Sequence, residues 1–266
     1  MTDDTELQTV LLDVAYDGAS FHGWARQPNQ RTVAGELDGA IRALDPRASL
    51  VRGVSRTDTG VHALQQRVAF DTTASIPPRG WVLGLSPHLP DCIAVVRAAK
   101  VVAGYDPRDH VIDKTYRYVI LQSSVKDPFL QGRCWRVADR LNHESMREEA
   151  QSLLGTHDFR AFRSSLDERT QTTRTLFAVS LEPASDPRQL VLTVKGDRFM
   201  HRMMRIIVGT LVDVGRGRLA PGAVRSGLTS GERRVLGITA PPEGLFLQSV
   251  TLDDEGLDGW PDRDER

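Results

Sequence analysis

The chain has 266 residues, 40% hydrophobic and 26% charged. This globular balance excludes a stapled mini-protein, a fibrous repeat and wholesale disorder, and leaves room for one large or two ordinary domains. Formal net charge is −1, but residues 1–6 hold three acids and no base, and residues 252–266 hold seven acids against Arg263 and Arg266; residues 7–251 therefore carry 32 bases against 25 acids, a net +7 that suits a polyanionic partner.

Val10, Leu12, Val14 and Tyr16 alternate with less apolar neighbours, the pattern of a half-buried strand that stops at Asp17-Gly18. Thr32 is the expected N-cap of a helix in which Val33, Leu37, Ile41 and Leu44 share one face, with Pro46 ending it. A second unit starts near Lys114, where Tyr116, Tyr118 and Ile120 lie on one face of a strand and Thr115, Arg117 and Val119 on the other. A helix over about 143–155, ended by Gly155, precedes strands near 174–182 and 189–196. A long helix then runs from about Arg198 to Val214, with Phe199, Met203, Ile207 and Leu211 in a stripe and Gly215 and Gly217 closing it.

Both halves mix strands and helices with antiparallel-looking connections, which reads as α+β rather than repeated βαβ units. The break falls around Ala103–Asp113, giving an N-terminal half over 1–105, a C-terminal half over 106–252 and a flexible acidic tail over 253–266. No stretch approaches the ~20 apolar residues of a bilayer span, and the opening residues lack the basic and apolar regions of a signal peptide, so a cytoplasmic protein without membrane attachment is expected. Cys92 and Cys134 fit no disulfide framework and the seven histidines no zinc spacing, so neither metal nor disulfide is expected. Thirty of the 34 bases are Arg, suited to bidentate contacts with phosphate or carboxylate. The densest cluster is Lys195, Arg198, Arg202, Arg205, Arg216 and Arg218, which reads as a polyanion footprint or as a solvated helix face.

One stretch concentrates chemistry. In Gly53-Val54-Ser55-Arg56-Thr57-Asp58-Thr59-Gly60-Val61-His62-Ala63 a carboxylate sits between an Arg and a Thr-Gly turn, after an apolar strand. An Asp in a turn commonly bonds only its own backbone. Asp58-Thr59-Gly60 also spells the aspartic-protease triplet, but that chemistry needs two carboxylates sharing a proton, and there is no second such triplet. The Gly-x-Ser-x-Gly elbow of serine hydrolases and the phosphate-loop and dinucleotide fingerprints are missing too.

Ser55-Arg56-Thr57-Asp58-Thr59-Gly60-Val61-His62-Ala63 resembles the nucleophile motif of the tRNA pseudouridine synthase A family. Further blocks resemble the family in the expected order: Tyr16-Asp17-Gly18 with Phe21-His22-Gly23-Trp24, Thr32-Val33, Lys114-Thr115-Tyr116-Arg117-Tyr118, Gly155-Thr156-His157-Asp158-Phe159, Gly196 through Thr210, and Ala240-Pro241-Pro242-Glu243-Gly244-Leu245. The resemblance implies two similar α+β halves with a central antiparallel sheet flanked by helices, the pseudouridine synthase fold. It implies a homodimer, without metal or organic cofactor, that converts uridine to pseudouridine in the anticodon stem-loop of tRNA (positions 38–40). It makes Asp58 the nucleophile, Arg205 its partner arginine, Tyr116 the ring against the target base and an aid in removing its proton, Arg56 a holder of the flipped nucleotide's phosphate, and Leu245 the apolar floor. The chemistry suits an aspartate, which ordinarily titrates near ~3.9 and is an anion at neutral pH without a partner base.

Two segments depart from the family pattern. Tyr105-Asp106-Pro107-Arg108-Asp109-His110-Val111-Ile112-Asp113 carries a proline and several acids before the tyrosine strand, and Gly84-Leu85-Ser86-Pro87-His88-Leu89-Pro90 lacks an asparagine before Leu-Pro. These bear on which RNA is modified, so the same chemistry on another structured RNA is the alternative. A non-catalytic RNA-binding module is the reading from a different class.

Overall fold

A computed structural model describes residues 6–165, 167, 170–253 and 259–261. The chain folds into two compact units, Met1–Ile112 with Leu247–Arg266, and Asp113–Phe246. In chain order the elements are β1 (Gln8–Tyr16), α1 (Val33–Leu44), β2 (Arg52–Gly53), β3 (His62–Thr72), α2 (Pro78–Leu85) and β4 (Ile93–Val101). There follow β5 (Val111–Gln122), β6 (Trp135–Val137), α3 (His143–Gln151), β7 (Gly155–Asp158), β8 (Thr173–Pro183), β9 (Gln189–Gly196), α4 (Met203–Gly215), α5 (Ala223–Ser230), β10 (Leu245–Leu252) and β11 (Gly259–Trp260). The α+β class expected from the sequence is what the structure has.

In the first unit the strands lie in the order β11-β4-β1-β3, with β2 also pairing with β3; these pairs are antiparallel. Register places Val10 opposite Phe70 and Leu12 opposite Val68. These side chains share the face on which Trp81 of α2 meets Phe70 edge-on at 5.0 Å. Helix α1 forms as expected: the Thr32 hydroxyl accepts from the Gly35 N–H, and Val33, Leu37 and Ile41 are buried.

The strand read as half-buried is buried on both faces. Its second face carries Asp13, opposite Arg67 of β3 and Arg97 of β4, all three buried. Asp13 accepts hydrogen bonds from Arg67 Nη1 and, at 3.1 Å, from Gln65 Nε2. A buried carboxylate needs such partners, because desolvation costs an unpaired ion several kcal/mol. Nearer the surface, Arg52 makes two hydrogen bonds to Asp71 (2.7 and 2.9 Å) and one to the Tyr105 carbonyl (2.9 Å), which ties the 103–110 loop to the sheet.

The second unit has β5, β9, β8 and β7 in antiparallel order, with β6 parallel to β5. Tyr118, Ile120, Leu192 and Val194 are buried on one face, and α4 is buried along its length: of its thirteen residues, all but Arg205 are buried. The helix begins at Met203, not near Arg198. Residues 197–201 spend their polar groups elsewhere: Asp197 Oδ1 accepts from the Thr175 and Arg198 N–H groups, His201 N–H donates to Asp167, and the His201 carbonyl accepts from Ser164. Helix α5 is capped from α3, where buried Glu149 accepts from the Gly222 and Val224 N–H groups.

The break lies within the expected 103–113 stretch, later than residue 105, while the C-terminal boundary comes before the expected 252. The break comes at Ile112/Asp113, and β10 begins in the second unit and ends in the first. Of the tail expected to be flexible, Gly259 and Trp260 pair with Ala99 and Ala98 of β4, with Arg79 over the Trp260 ring at 5.6 Å; residues 254–258 and 262–266 lie outside the described residues.

Two outcomes test this packing. Asp13→Asn, which leaves buried guanidinium charge uncompensated, should destabilise the protein by about 3–5 kcal/mol in urea unfolding; a loss below about 1 kcal/mol would contradict the buried pair. The Arg52 hydrogen bonds hold the Asp71 carboxyl below the usual carboxylate range. A carboxyl lowered by folding contributes stability that is present above the unfolded value, ~3.9, and lost as pH falls through the folded one. Asp71→Asn should therefore flatten the acid side of a stability-against-pH curve while leaving its alkaline side unchanged.

Candidate active site

The expected site residues fall into two sets. Asp58 and Arg56 lie in the first unit, on the loop between β2 and β3; Tyr116, Arg205 and Leu245 belong to the second.

The long strand follows the Asp58 motif rather than preceding it, since β2 has two residues and β3 eleven. The chain leaves the sheet at Ser55. The Val54 N–H still donates to the Arg67 carbonyl (3.0 Å), but both backbone groups of Ser55 are met by the Gln66 side chain: Ser55 N–H donates to Oε1 at 3.0 Å, and Nε2 donates to the Ser55 carbonyl at 2.6 Å. Thr57 is held next, with its carbonyl accepting from Trp24 N–H at 3.1 Å and its hydroxyl hydrogen-bonded to that of Tyr16 at 2.7 Å, in a buried contact. Asp58 then opens a turn in which its carbonyl accepts from Val61 N–H at 3.1 Å. Ser55 and Thr57 are buried, Asp58 is half-buried and Arg56 is exposed. The backbone of this turn is thus fixed on either side of a half-buried carboxylate.

The preceding loop packs against this turn at backbone distance. Gly23 has φ +86°, and a Cβ there would come within 2.7 Å of the Thr57 carbonyl, so both conformation and space require glycine. Gly18 N–H donates to His62 Nδ1 at 3.1 Å, joining the Asp17-Gly18 turn to the start of β3.

In the second unit Tyr116 lies on β5, opposite Val194, with Phe199 edge-on to its ring at 4.8 Å. Arg205 stands in the first turn of α4 and is half-buried; its Nε donates to the Ala240 carbonyl at 2.7 Å, and its own carbonyl accepts from Ala240 N–H at 2.9 Å. Being the one residue of α4 that is not buried, it is not a solvated surface charge of an amphipathic helix. The segment from 240 to 245 runs from this arginine past Tyr118, whose hydroxyl donates to the Pro241 carbonyl at 2.8 Å, to buried Leu245 at the start of β10. Burial pushes the Tyr118 hydroxyl well above the usual phenol range, so it stays a neutral donor.

The basic cluster read as one footprint is divided. Arg198 and Arg202 are exposed before α4, whereas Arg216 and Arg218 lie beyond its other end, paired with Asp139 and Asp213, about 20 Å of helix away. Lys195 pairs with Asp113 at 3.0 Å. Gln66 was not singled out by sequence, since a glutamine inside a strand carries no motif, and Ala240 was named only as the first residue of a family block, not for the carbonyl that holds Arg205. Among the described residues no three His, Cys, Asp or Glu side chains are grouped to hold a metal ion, and no helix is long and apolar enough to cross a membrane.

The family model described as tRNA pseudouridine synthase matches residues 150–253. The tRNA pseudouridine synthase A of Thermoanaerobacter sp. (strain X514) is 39% identical over 244 residues, 92% of this chain and 99% of the relative. That of Bacillus subtilis (strain 168) is 38% identical over 242 residues, 90% and 97% of the two chains, and that of Geobacter sulfurreducens is 38% identical over 244 residues, 92% and 99%. Among solved structures, a chain in the crystal structure of a Cbf5-Nop10-Gar1 complex aligns with 77% of this chain, and 54% of its own length, at 10% identity and a TM-score of 0.31, a likeness too slight to carry an argument. On identity of this depth along nearly the whole length of both sequences, the chain belongs to the tRNA pseudouridine synthase A family.

Proposed function

We propose that the protein converts uridine to pseudouridine in the anticodon stem-loop of tRNA (positions 38–40), with Asp58 as the nucleophile. The observation that carries this reading is the near full-length similarity to tRNA pseudouridine synthase A, together with a motif aspartate flanked by buried hydrogen bonds at Ser55 and Thr57 before it and at His62 after it. The reaction is an isomerisation: the bond from the sugar to N1 of the base breaks, a bond to carbon 5 forms, the proton on carbon 5 leaves and N1 gains one. It has no net redox change and needs neither metal nor organic cofactor.

Each residue takes a role that its surroundings support. Asp58 is half-buried, so its carboxylate is within reach of a substrate. Arg205 supplies a fixed cation, since the Ala240 carbonyl holds its Nε. Tyr116, aligned by Phe199, offers a ring to lie against the target base and a hydroxyl to help take the proton from carbon 5. Exposed Arg56 grips the phosphate of the extruded nucleotide, and Leu245 forms the apolar floor. Extrusion costs a few kcal/mol, which the positively charged body recovers through contacts with flanking RNA. We place the enzyme in the cytoplasm as a homodimer that binds tRNA across both subunits.

Pseudouridine mapping of total tRNA tests the substrate. A strain lacking the protein should lose pseudouridine on the 3′ side of the anticodon stem-loop, the wild-type gene should restore it, and Asp58→Asn should not. Retention of all these pseudouridines in the deletion strain would rule out the substrate in favour of another structured RNA. Tyr116→Phe keeps the ring and removes the hydroxyl, so single-turnover rates should fall by about 100-fold with RNA affinity nearly unchanged; an unchanged rate would remove the hydroxyl from the chemistry.

A further inference from the structure

We propose that Gln66 is a positioning residue for the reaction, a two-bond clamp that sets where the Asp58 turn leaves the sheet; this rests on Asp58 being the nucleophile. The β2–β3 ladder pairs Arg52 with Ala69 and Gly53 with Val68, and Val54 adds one more bond to the Arg67 carbonyl. Continued by one residue, the ladder would hold Ser55 flat against β3. Instead, the primary amide of Gln66 presents a donor and an acceptor to the Ser55 carbonyl and N–H. It offers the same pair of groups as a backbone residue, from the end of a side chain, so Ser55 stands off the strand with both of its backbone groups satisfied.

Gln66 is fully buried on the face shared with Val14 and Val68, so water cannot take over either bond. No other side chain of this size supplies both halves: glutamate keeps the acceptor and loses the donor, and methionine loses both. Three residues beyond Ser55 comes Asp58, and between them Thr57 is fixed by Tyr16 and Trp24. Asp58 thus sits on a short rigid segment whose near end, Ser55, is held by Gln66. A reacting group displaced by about 1 Å loses about 100-fold in rate, because near-attack geometry is lost while binding contacts elsewhere persist.

The test compares full-length wild type, Gln66→Met and Gln66→Glu on unmodified tRNA transcripts, measuring single-turnover pseudouridine formation, Kd for the RNA and Tm. Gln66→Met should be slower by about 10- to 100-fold with Kd changed by less than about twofold, and Gln66→Glu should fall between it and wild type. A folded Gln66→Met variant with wild-type rate would overturn the proposal. So would a Kd that weakens in step with the rate, which would make the clamp a general prop for the RNA-binding surface. Should Gln66→Met fail to fold, the rate and Kd of Gln66→Glu decide by the same criteria. A wild type that forms no pseudouridine in any tRNA transcript would instead count against the assigned function, and this role would fall with it.

Discussion

The departure of the chain from the sheet at Ser55 is the constraint on which the first unit's candidate chemistry depends. In its proposed role as nucleophile, the Asp58 carboxylate needs backbone that does not move, yet it cannot sit in the sheet, where strand pairing would hold it flat. The protein resolves this with buried hydrogen bonds from outside the turn: Gln66 takes both backbone groups of Ser55, Tyr16 takes the Thr57 hydroxyl, and Trp24 takes the Thr57 carbonyl. All three partners are buried, Gln66 and Tyr16 on strands and Trp24 in the loop before α1, which shelters the bonds from water. The strand that supplies Gln66 is itself anchored by the buried Arg67–Asp13 pair one position on, so electrostatics on one face of the sheet secures polar geometry on the other.

The second unit solves a related problem by different means. In its proposed role Arg205 presents a charge from a helix that is otherwise entirely buried. The segment that receives its Nε lies directly on that helix: a Cβ on Gly209 would come 1.8 Å from the Ile238 carbonyl, so glycine alone allows the approach. Thr210 and Asp213 then accept the Gly237 and Ile238 N–H groups at 3.1 Å, and the segment arrives at Ala240 in position to hold the arginine. Motif residues in both units are oriented by backbone groups and by residues of unremarkable type.

This explains what could be read from the sequence. Strand β1, helix α1 and strands β8 and β9 were legible because their apolar residues recur at one period and their ends carry caps or turn pairs. Strand β3 was not, because it is buried on both faces and places Gln65, Gln66 and Arg67 in mid-strand, which erases alternation. The start of α4 was misplaced because periodicity cannot show that residues 197–201 give their polar groups to neighbouring segments. The tail read as flexible contains a pairing strand of two residues, too short to leave a pattern. Candidate site residues were legible through motif resemblance alone: nothing in composition separates Arg205 from the other arginines, and its distinction, one half-exposed side chain on a buried helix, exists only in three dimensions.

The most direct test of the account is release of tritium from tRNA transcripts labelled at carbon 5 of uridine, by the purified protein and by Asp58→Asn. The label leaves only when carbon 5 gives up its hydrogen to form the new bond to the sugar. The account predicts release by the wild type in proportion to pseudouridine formed, and none above background by a folded Asp58→Asn variant. Release by the variant at the wild-type rate would contradict the assignment of Asp58 as nucleophile, and absence of release by the wild type from any folded tRNA would contradict the proposed reaction itself.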